Sequence, residues 1–137
     1  MPLRLEIVTP EANIYSDDVD SVVLPGHDGE MGVLPQHAPL VTLLNAGELR
    51  IIRGGKTHVM AVGEGLVEVT GTSTRILTDA AIGEESIDEG SVQAALERAQ
   101  ARLKDAANLT AEEIAATEAS IMHSLAQLKV KRKRKAL

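Results

Sequence analysis

Three side chains in the first third of the sequence are of types that bind zinc. His27, Asp28 and His37 offer two imidazoles and a carboxylate, but a structural zinc site needs four ligands and a second shell that orients them. The chain contains no cysteine, so it has no thiolate ligand or thiolate nucleophile. We expect no metal site and no cofactor, and we interpret His58 and His123 as surface or hydrogen-bonded histidines.

The glycine-rich stretch of the same region is not a phosphate-binding loop. Gly26, Gly29 and Gly32 are spaced by three, whereas the dinucleotide motif is Gly-x-Gly-x-x-Gly and opens a helix whose amino end holds the anion. Here Val33-Leu34-Pro35 follows instead. No nucleophile beside a base and no paired carboxylates in a pocket can be identified. The sequence therefore predicts a non-catalytic protein.

Charge is unevenly distributed along the chain. The 137 residues carry a net charge of -6, and six positive side chains lie near the carboxyl end: Lys129, Lys131, Arg132, Lys133, Arg134 and Lys135. A basic end on an acidic body favours an acidic partner surface. Nucleic acid is a weaker alternative, since the chain has one tyrosine and no Phe or Trp to stack on bases. A solvated tail without a partner remains open.

The elements that position these residues change type near residue 84. Leu3, Leu5 and Ile7 alternate with other residues as in a half-buried strand. Similar patterns predict strands at 3–8, 19–24, 40–44, 47–53, 57–62, 66–70 and 74–79, with a tight turn at Arg53-Gly54-Gly55-Lys56. We expect an all-β sandwich or barrel packed from aliphatic side chains.

The remaining residues have helical periodicity. Capping boxes are predicted at Ser86 with Glu89 and at Thr110 with Glu113. They precede two apolar stripes, Val92, Leu96, Ala99 and Leu103, and then Ile114, Ile121, Leu125 and Leu128. Two helices with a short connection form an antiparallel hairpin. Because its seam is thin, we expect a hairpin that can detach from the sheet domain.

The stretch from Pro25 to Leu40 combines glycines and prolines in a way that predicts an ordered loop between strands. It resembles the signature loop of the epsilon subunit of F-type ATP synthases, the bacterial counterpart of the mitochondrial delta subunit. The resemblance covers essentially the whole chain and is carried by Pro25-Gly26, Gly29, Gly32, Pro35, His37-Ala38-Pro39-Leu40, Leu49 to Arg53 and Ala61-Val62-Gly63-Glu64-Gly65.

The resemblance implies a fold in two parts. Residues 1–84 would form a flattened ten-stranded β-sandwich, and residues 85–137 a helical hairpin with a basic tail. It also implies a non-catalytic subunit of the central stalk, or rotor, which links the gamma subunit to the ring of c subunits. Such a subunit couples transmembrane proton flow to ATP synthesis, and its carboxy-terminal helices restrain ATP hydrolysis.

The resemblance further assigns partners to particular residues. Asp28, Gly29, Glu30 and Met31 would face the c-ring, and His37, Ala38 and Pro39 would face gamma. The basic residues from Lys129 to Lys135 would contact an acidic region of the catalytic beta subunit, which works beside alpha. We accordingly expect that removing residues 129–137 raises ATP hydrolysis by the assembled enzyme.

Some members of the family bind ATP on the hairpin through an Ile/Leu-Asp-x-x-Arg-Ala motif. Ile87 and Asp88 match this motif and Arg98 fits a further position, but Ser91 and Val92 stand where Arg-Ala is needed. Triphosphate requires several positive partners, and the second helix has none from residue 111 to 128. We therefore expect no ATP site.

The expected location is peripheral, on the cytoplasmic face of a bacterial inner membrane and attached only through the complex. No apolar run approaches the roughly 20 residues that cross a bilayer, and the amino end lacks a secretion-signal pattern. The alternative to a stalk subunit is a free-standing β-sandwich module whose basic tail binds an acidic protein or nucleic acid.

Overall fold

The computed structural model describes the backbone of residues 2–136 and the side chains of residues 2–133. Ten strands precede two helices, and short 3₁₀ turns lie before and after the first helix. The strands are β1 Leu3–Val8, β2 Asn13–Val19, β3 Ser21–Gly26, β4 Gly29–Val33, β5 Leu40–Leu44, β6 Gly47–Arg53, β7 Lys56–Val62, β8 Gly65–Val69, β9 Ser73–Thr78 and β10 Ala81–Gly83. The helices are α1 Glu89–Lys104 and α2 Ala111–Ala136.

The strands form one hydrogen-bonded sheet that folds over on itself. Its order is β10-β7-β6-β3-β5-β8-β9-β1-β2, with β4 paired to β3 outside this path. Leu5 of β1 and Ile51 of β6 lie far apart in this order, yet both are fully buried in one aliphatic cluster. Each such side chain contributes about 1.5–3 kcal/mol. The prediction of a ten-stranded sandwich followed by two helices is confirmed.

The Gly63-Glu64-Gly65 segment is explained by close packing between strands. A side chain at Gly65 would overlap the carbonyl oxygen of Leu77 on β9. The hydroxyl of Thr78 lies 3.0 Å from the carbonyl oxygen of Gly63 and fastens the same corner. Glycine is needed here because the neighbouring backbone occupies the space of a Cβ atom.

Part of the predicted loop at Pro25 to Leu40 is strand, so that prediction is wrong for its first half. Pro25 and Gly26 end β3, Gly29–Val33 is β4, and the two pair as a hairpin. Two other strands, β2 and β10, also went unpredicted. They lie at the two ends of the sheet order, where a strand has a neighbour on one side only and needs less apolar patterning.

One of the two predicted helix caps is wrong. Ser86 belongs to a 3₁₀ turn, and Asp88 caps α1 by accepting from the backbone N–H groups of Gly90 and Ser91. A hydrogen bond from the Ser91 hydroxyl, together with these backbone hydrogen bonds, lowers the pKa of the Asp88 carboxyl. The capping box of Thr110 with Glu113 is confirmed, since each side chain bonds the backbone N–H of the other at 3.1–3.2 Å.

The second apolar stripe is also partly wrong. Leu125 is 46% exposed, whereas Leu128 is buried as expected. Two polar residues, Thr117 and Ser124, occupy buried positions on α2 instead. The Thr117 hydroxyl donates to the carbonyl oxygen of Glu113 at 2.7 Å, and a hydroxyl satisfied by its own helix can be buried cheaply.

The helices contact the sandwich through a small cluster. The cluster buries Ala61 of β7, Val130 of α2 and Ile87, which precedes α1, and Val92 of α1 packs beside them. This cluster is far smaller than the sandwich core, so its burial contributes much less to stability. The small contact supports a detachable hairpin, and the division of the chain into 1–84 and 85–137 stays a prediction.

Candidate functional site

The residues assigned to the c-ring lie on one β-hairpin. Gly26 of β3 pairs with Gly29 of β4, so His27 and Asp28 form a two-residue turn. Gly29 has φ of 127°, a region that side chains disfavour. The hairpin therefore holds Asp28, Gly29 and Glu30 exposed, with Met31 half-buried against the core.

Glu30 already has a partner within the chain. The Arg50 guanidinium on β6 donates two hydrogen bonds to its carboxylate, at 3.0 and 3.2 Å. This contact lowers the pKa of Glu30, and the same carboxylate raises the pKa of Arg50. Arg50 is not among the site residues predicted from the sequence. Arg50 meets Glu30 because β3 pairs with β4 on one side and with β6 on the other, and this strand order cannot be read from the composition of the sequence.

The segment assigned to gamma is an irregular loop with a fixed shape. Gln36 has φ of 66°, and its N–H donates to the carbonyl oxygen of Gly71 at 2.8 Å. The Nδ1 of His37 donates to the carbonyl oxygen of Ala38 at 2.8 Å. Ala38 and Pro39 are exposed and His37 is half-buried, so the loop offers a small, mostly uncharged surface.

Exposed apolar side chains flank this loop in the sequence, on both sides. Leu34 is 64% exposed, Val41 66% and Leu43 55%. Val41 and Leu43 alternate along β5, so their side chains leave the same face of the strand. We call Leu34, Val41 and Leu43 the apolar patch. The sequence does not predict this patch, because the alternation along a strand does not reveal which face is covered.

Three cations of the basic tail are engaged with the rest of the molecule. The Nζ of Lys131 donates to the carbonyl oxygen of Glu84 at 3.3 Å, and Lys133 contacts Glu48. Arg132 pairs with Glu89 at 2.9 Å. Lys129 is exposed, and the side chains of Arg134 and Lys135 lie outside the described residues. The tail is helical, and these contacts place its first part against the acidic body.

The residues that match the ATP motif have structural roles. Ile87 is buried in the cluster beneath the hairpin and Asp88 caps α1. Arg98 lines a cleft of about 260 Å³ between the helices, together with Arg102, Ala99, Ala116, Thr117 and Ser120. Arg102 is paired with Glu113 at 2.9 Å. The prediction of no ATP site stays a prediction.

The histidines and carboxylates among the described side chains do not form a cluster that could hold a metal ion. His27 and Asp28 sit in the hairpin turn, and His37 lies in the following loop. Among the side chains of residues 2–133, no group of three His, Asp or Glu is arranged to hold a metal ion. Over the same part of the chain, no helix is both long enough and apolar enough to span a membrane.

Comparison with known proteins identifies the family. A family model described as "ATP synthase, Delta/Epsilon chain, beta-sandwich domain" matches residues 2–84. An ATP synthase epsilon chain of Acidithiobacillus ferridurans is 40% identical, over 94% of this chain and 90% of the relative. The chain belongs to the ATP synthase delta/epsilon family. The resemblance drawn from the signature segment is thereby confirmed.

A further relative and a solved structure extend the match. An ATP synthase epsilon chain of Desulforamulus reducens is 48% identical over 73% of this chain and 76% of its own length. A chain in a Euglena gracilis mitochondrial ATP synthase structure, described as OSCP/F1/c-ring, shares the fold with a TM-score of 0.73. It is 22% identical, and the match covers 99% of this chain and 82% of that one. Membership of this family confirms the prediction of a non-catalytic subunit.

His123 on α2 is a half-buried histidine whose surroundings favour the neutral ring. Its Nε2 lies 2.6 Å from the side-chain nitrogen of Gln127, and its Nδ1 is buried without a hydrogen-bond partner among the described residues. The Gln127 amide donates, so Nε2 accepts and the neutral ring fits. Burial lowers the pKa of His123, although Asp79 opposes this effect.

Protonation of His123 would break the Gln127 contact and bury a charge, so acid should release α2. The neutral ring supports docking above about pH 6.5, the ordinary histidine pKa, and this support is lost as the pH falls below it. Hydrogen exchange of α2 amides at pH 7.5 and 5.5, corrected for intrinsic rates, measures the effect. The pH dependence of this exchange should disappear in His123→Gln and persist in His58→Gln, which alters an exposed histidine. An unchanged pH dependence in His123→Gln would contradict the assignment.

Proposed function

We propose that this chain is a subunit of the central stalk, where it joins the gamma subunit to the c-ring and restrains ATP hydrolysis. The observation that carries the proposal is the placement of two exposed surfaces on one rigid sandwich. The β3–β4 hairpin presents charged groups, and the 34–39 loop with the apolar patch presents an uncharged surface. Two such surfaces suit a part that connects two different partners.

The solved structures that share the fold support this placement. The Euglena structure is described as containing F1 and the c-ring. A Tetrahymena thermophila chain with a TM-score of 0.53 belongs to a structure described as central stalk and c-ring. We infer that this chain occupies the corresponding position, attached to the cytoplasmic side of the membrane through its partners. It would thereby couple proton flow to ATP synthesis.

The two surfaces differ in chemistry, and each suits a different partner. The apolar patch and the neighbouring residues His37, Ala38 and Pro39 form the contact with gamma, since exposed apolar area gains most from burial. Asp28 and Glu30 form the contact with basic groups of the ring. Charged rim contacts of this kind set orientation and partner choice more than affinity.

The helical hairpin of α1 and α2, with its basic tail, supplies the restraint on hydrolysis. α2 is fastened to the sandwich by a small apolar cluster and by exposed ion pairs such as Arg132 with Glu89, which are individually weak. A helix held in this way can exchange its acidic partners in the chain for an acidic surface of beta. Restraint then follows from attachment of the tail to the catalytic subunits.

Affinity purification tests the proposal. A tag on the amino terminus, away from the tail, should recover gamma, alpha and beta together with c subunits in mild detergent. Recovery of an unrelated acidic protein or of nucleic acid, without these subunits, would instead support the free-standing module.

A further inference from the structure

Four side chains form a row of alternating charges from the β3–β4 hairpin to the tail. Glu30 binds Arg50 at 3.0 Å, and Arg50 lies 3.8 Å from Glu48. The same Oε2 atom of Glu48 accepts from the Nζ of Lys133 at 3.0 Å. The row thus joins a hairpin in the sandwich to the last turns of α2, although residues 30 and 133 are far apart in sequence.

The centre of the row lies on a single strand. Glu48 and Arg50 are two residues apart on β6, so their side chains share one face of the sheet. Their side chains are 16% and 28% exposed, compared with 62% for Glu30 and 54% for Lys133. The Glu48 carboxylate is therefore shielded from water, and the two cations beside it interact with it more strongly than exposed pairs do.

We propose that this row is a charge relay, in which a cation bound at Glu30 loosens the hold of Glu48 on Lys133. An ammonium or guanidinium group of a partner competes with Arg50 for the Glu30 carboxylate. Arg50 then turns toward Glu48, where it competes with Lys133 and repels it. Coupling is reciprocal, so release of the tail also strengthens binding of the cation at the hairpin.

The relay predicts effects of opposite sign. Glu30→Gln frees Arg50 and loosens the tail, and Glu30→Lys, which places a cation at the hairpin, loosens it more. Arg50→Gln does the reverse, because Lys133 then has Glu48 to itself and is also attracted by Glu30. Without a relay, Glu30 would act on Lys133 only directly across space, and Glu30→Gln would then change the tail equally whether or not Arg50 is present.

Hydrogen exchange of the backbone amides of residues 130–133 in the isolated chain measures the hold on the tail. At low salt we expect exchange about two- to fivefold faster in Glu30→Gln and slower by a similar factor in Arg50→Gln. High salt should reduce both changes by screening. In the double variant Glu30→Gln with Arg50→Gln, the Glu30→Gln substitution should have little further effect on exchange. The reason is that Arg50, which transmits the change at Glu30 to Lys133, is absent.

Glu6→Gln and Arg75→Gln are matched controls, because they remove the same charges from an exposed cross-strand pair elsewhere on the sheet. They should leave exchange in residues 130–133 unchanged. Equal exchange in wild type, Glu30→Lys and Arg50→Gln would overturn the relay, as would changes of the same sign. The role of the relay in the enzyme rests on the proposed function, but this test uses the chain alone. Its failure would leave the purification result standing, and the reverse also holds.

Discussion

Replacing Val41 and Leu43 together with aspartate is expected to abolish recovery of gamma with this chain. Both side chains are more than half exposed in the isolated molecule, so the fold should tolerate the change. In the complex each substitution removes about 1.5–3 kcal/mol of apolar burial and adds a carboxylate that must lose water. The affinity for gamma should fall by about a hundredfold or more, as measured by binding of purified gamma.

Ile14→Asp is the matched control, since Ile14 is an exposed apolar residue, 40% exposed, outside the patch. It should bind gamma as the unaltered chain does. Thermal unfolding of each variant separates lost binding from lost folding. If the double variant unfolded normally and still bound gamma with unchanged affinity, the apolar patch would have no part in the contact.

Removing the charges of the tail should raise ATP hydrolysis by the assembled enzyme. Lys129, Lys131, Arg132 and Lys133 would each be replaced with glutamine, because deletion from residue 129 would also remove the buried Val130. Loss of attraction between the tail and beta should increase hydrolysis about fivefold, at the lower end of typical coupling energies between sites. Steady-state hydrolysis at low and high salt measures the change.

Four exposed cations elsewhere provide the control for net charge, namely Arg4, Lys56, Arg75 and Lys104. Their replacement with glutamine should leave hydrolysis unchanged. The tail substitutions also remove contacts to Glu48 and Glu89, which weakens the attachment of the helical hairpin to the sandwich. Unchanged or reduced hydrolysis at both salt concentrations would show that the tail's charges do not restrain the enzyme.

Local chemistry determined which parts of the fold could be predicted. The turn at Gly54 and Gly55 has φ of 58° and 77°, values that two adjacent glycines favour. The capping box at Thr110 is likewise a contact between near neighbours. At α1 the sequence predicts Ser86 as the cap, but Asp88 caps the helix, since a 3₁₀ turn takes up residues 84–86.

The sequence names the candidate site residues but does not predict their contacts. The c-ring assignment at Asp28 to Met31 falls on a single hairpin, yet the partner of Glu30 is twenty positions away. That pairing depends on how β3 sits between β4 and β6, which is a property of the assembled sheet. The contact of Lys133 with Glu48 depends in addition on where α2 docks. Such long-range contacts leave no periodic signal in a single sequence.

The most direct measurement is a cryo-electron microscopy map of the ATP synthase purified through a tag on this chain. The account predicts density for the sandwich at the foot of the stalk, with the β3–β4 hairpin against the c-ring and the apolar patch against gamma. A map in which the hairpin faces solvent, or in which this chain lies outside the stalk, would contradict it.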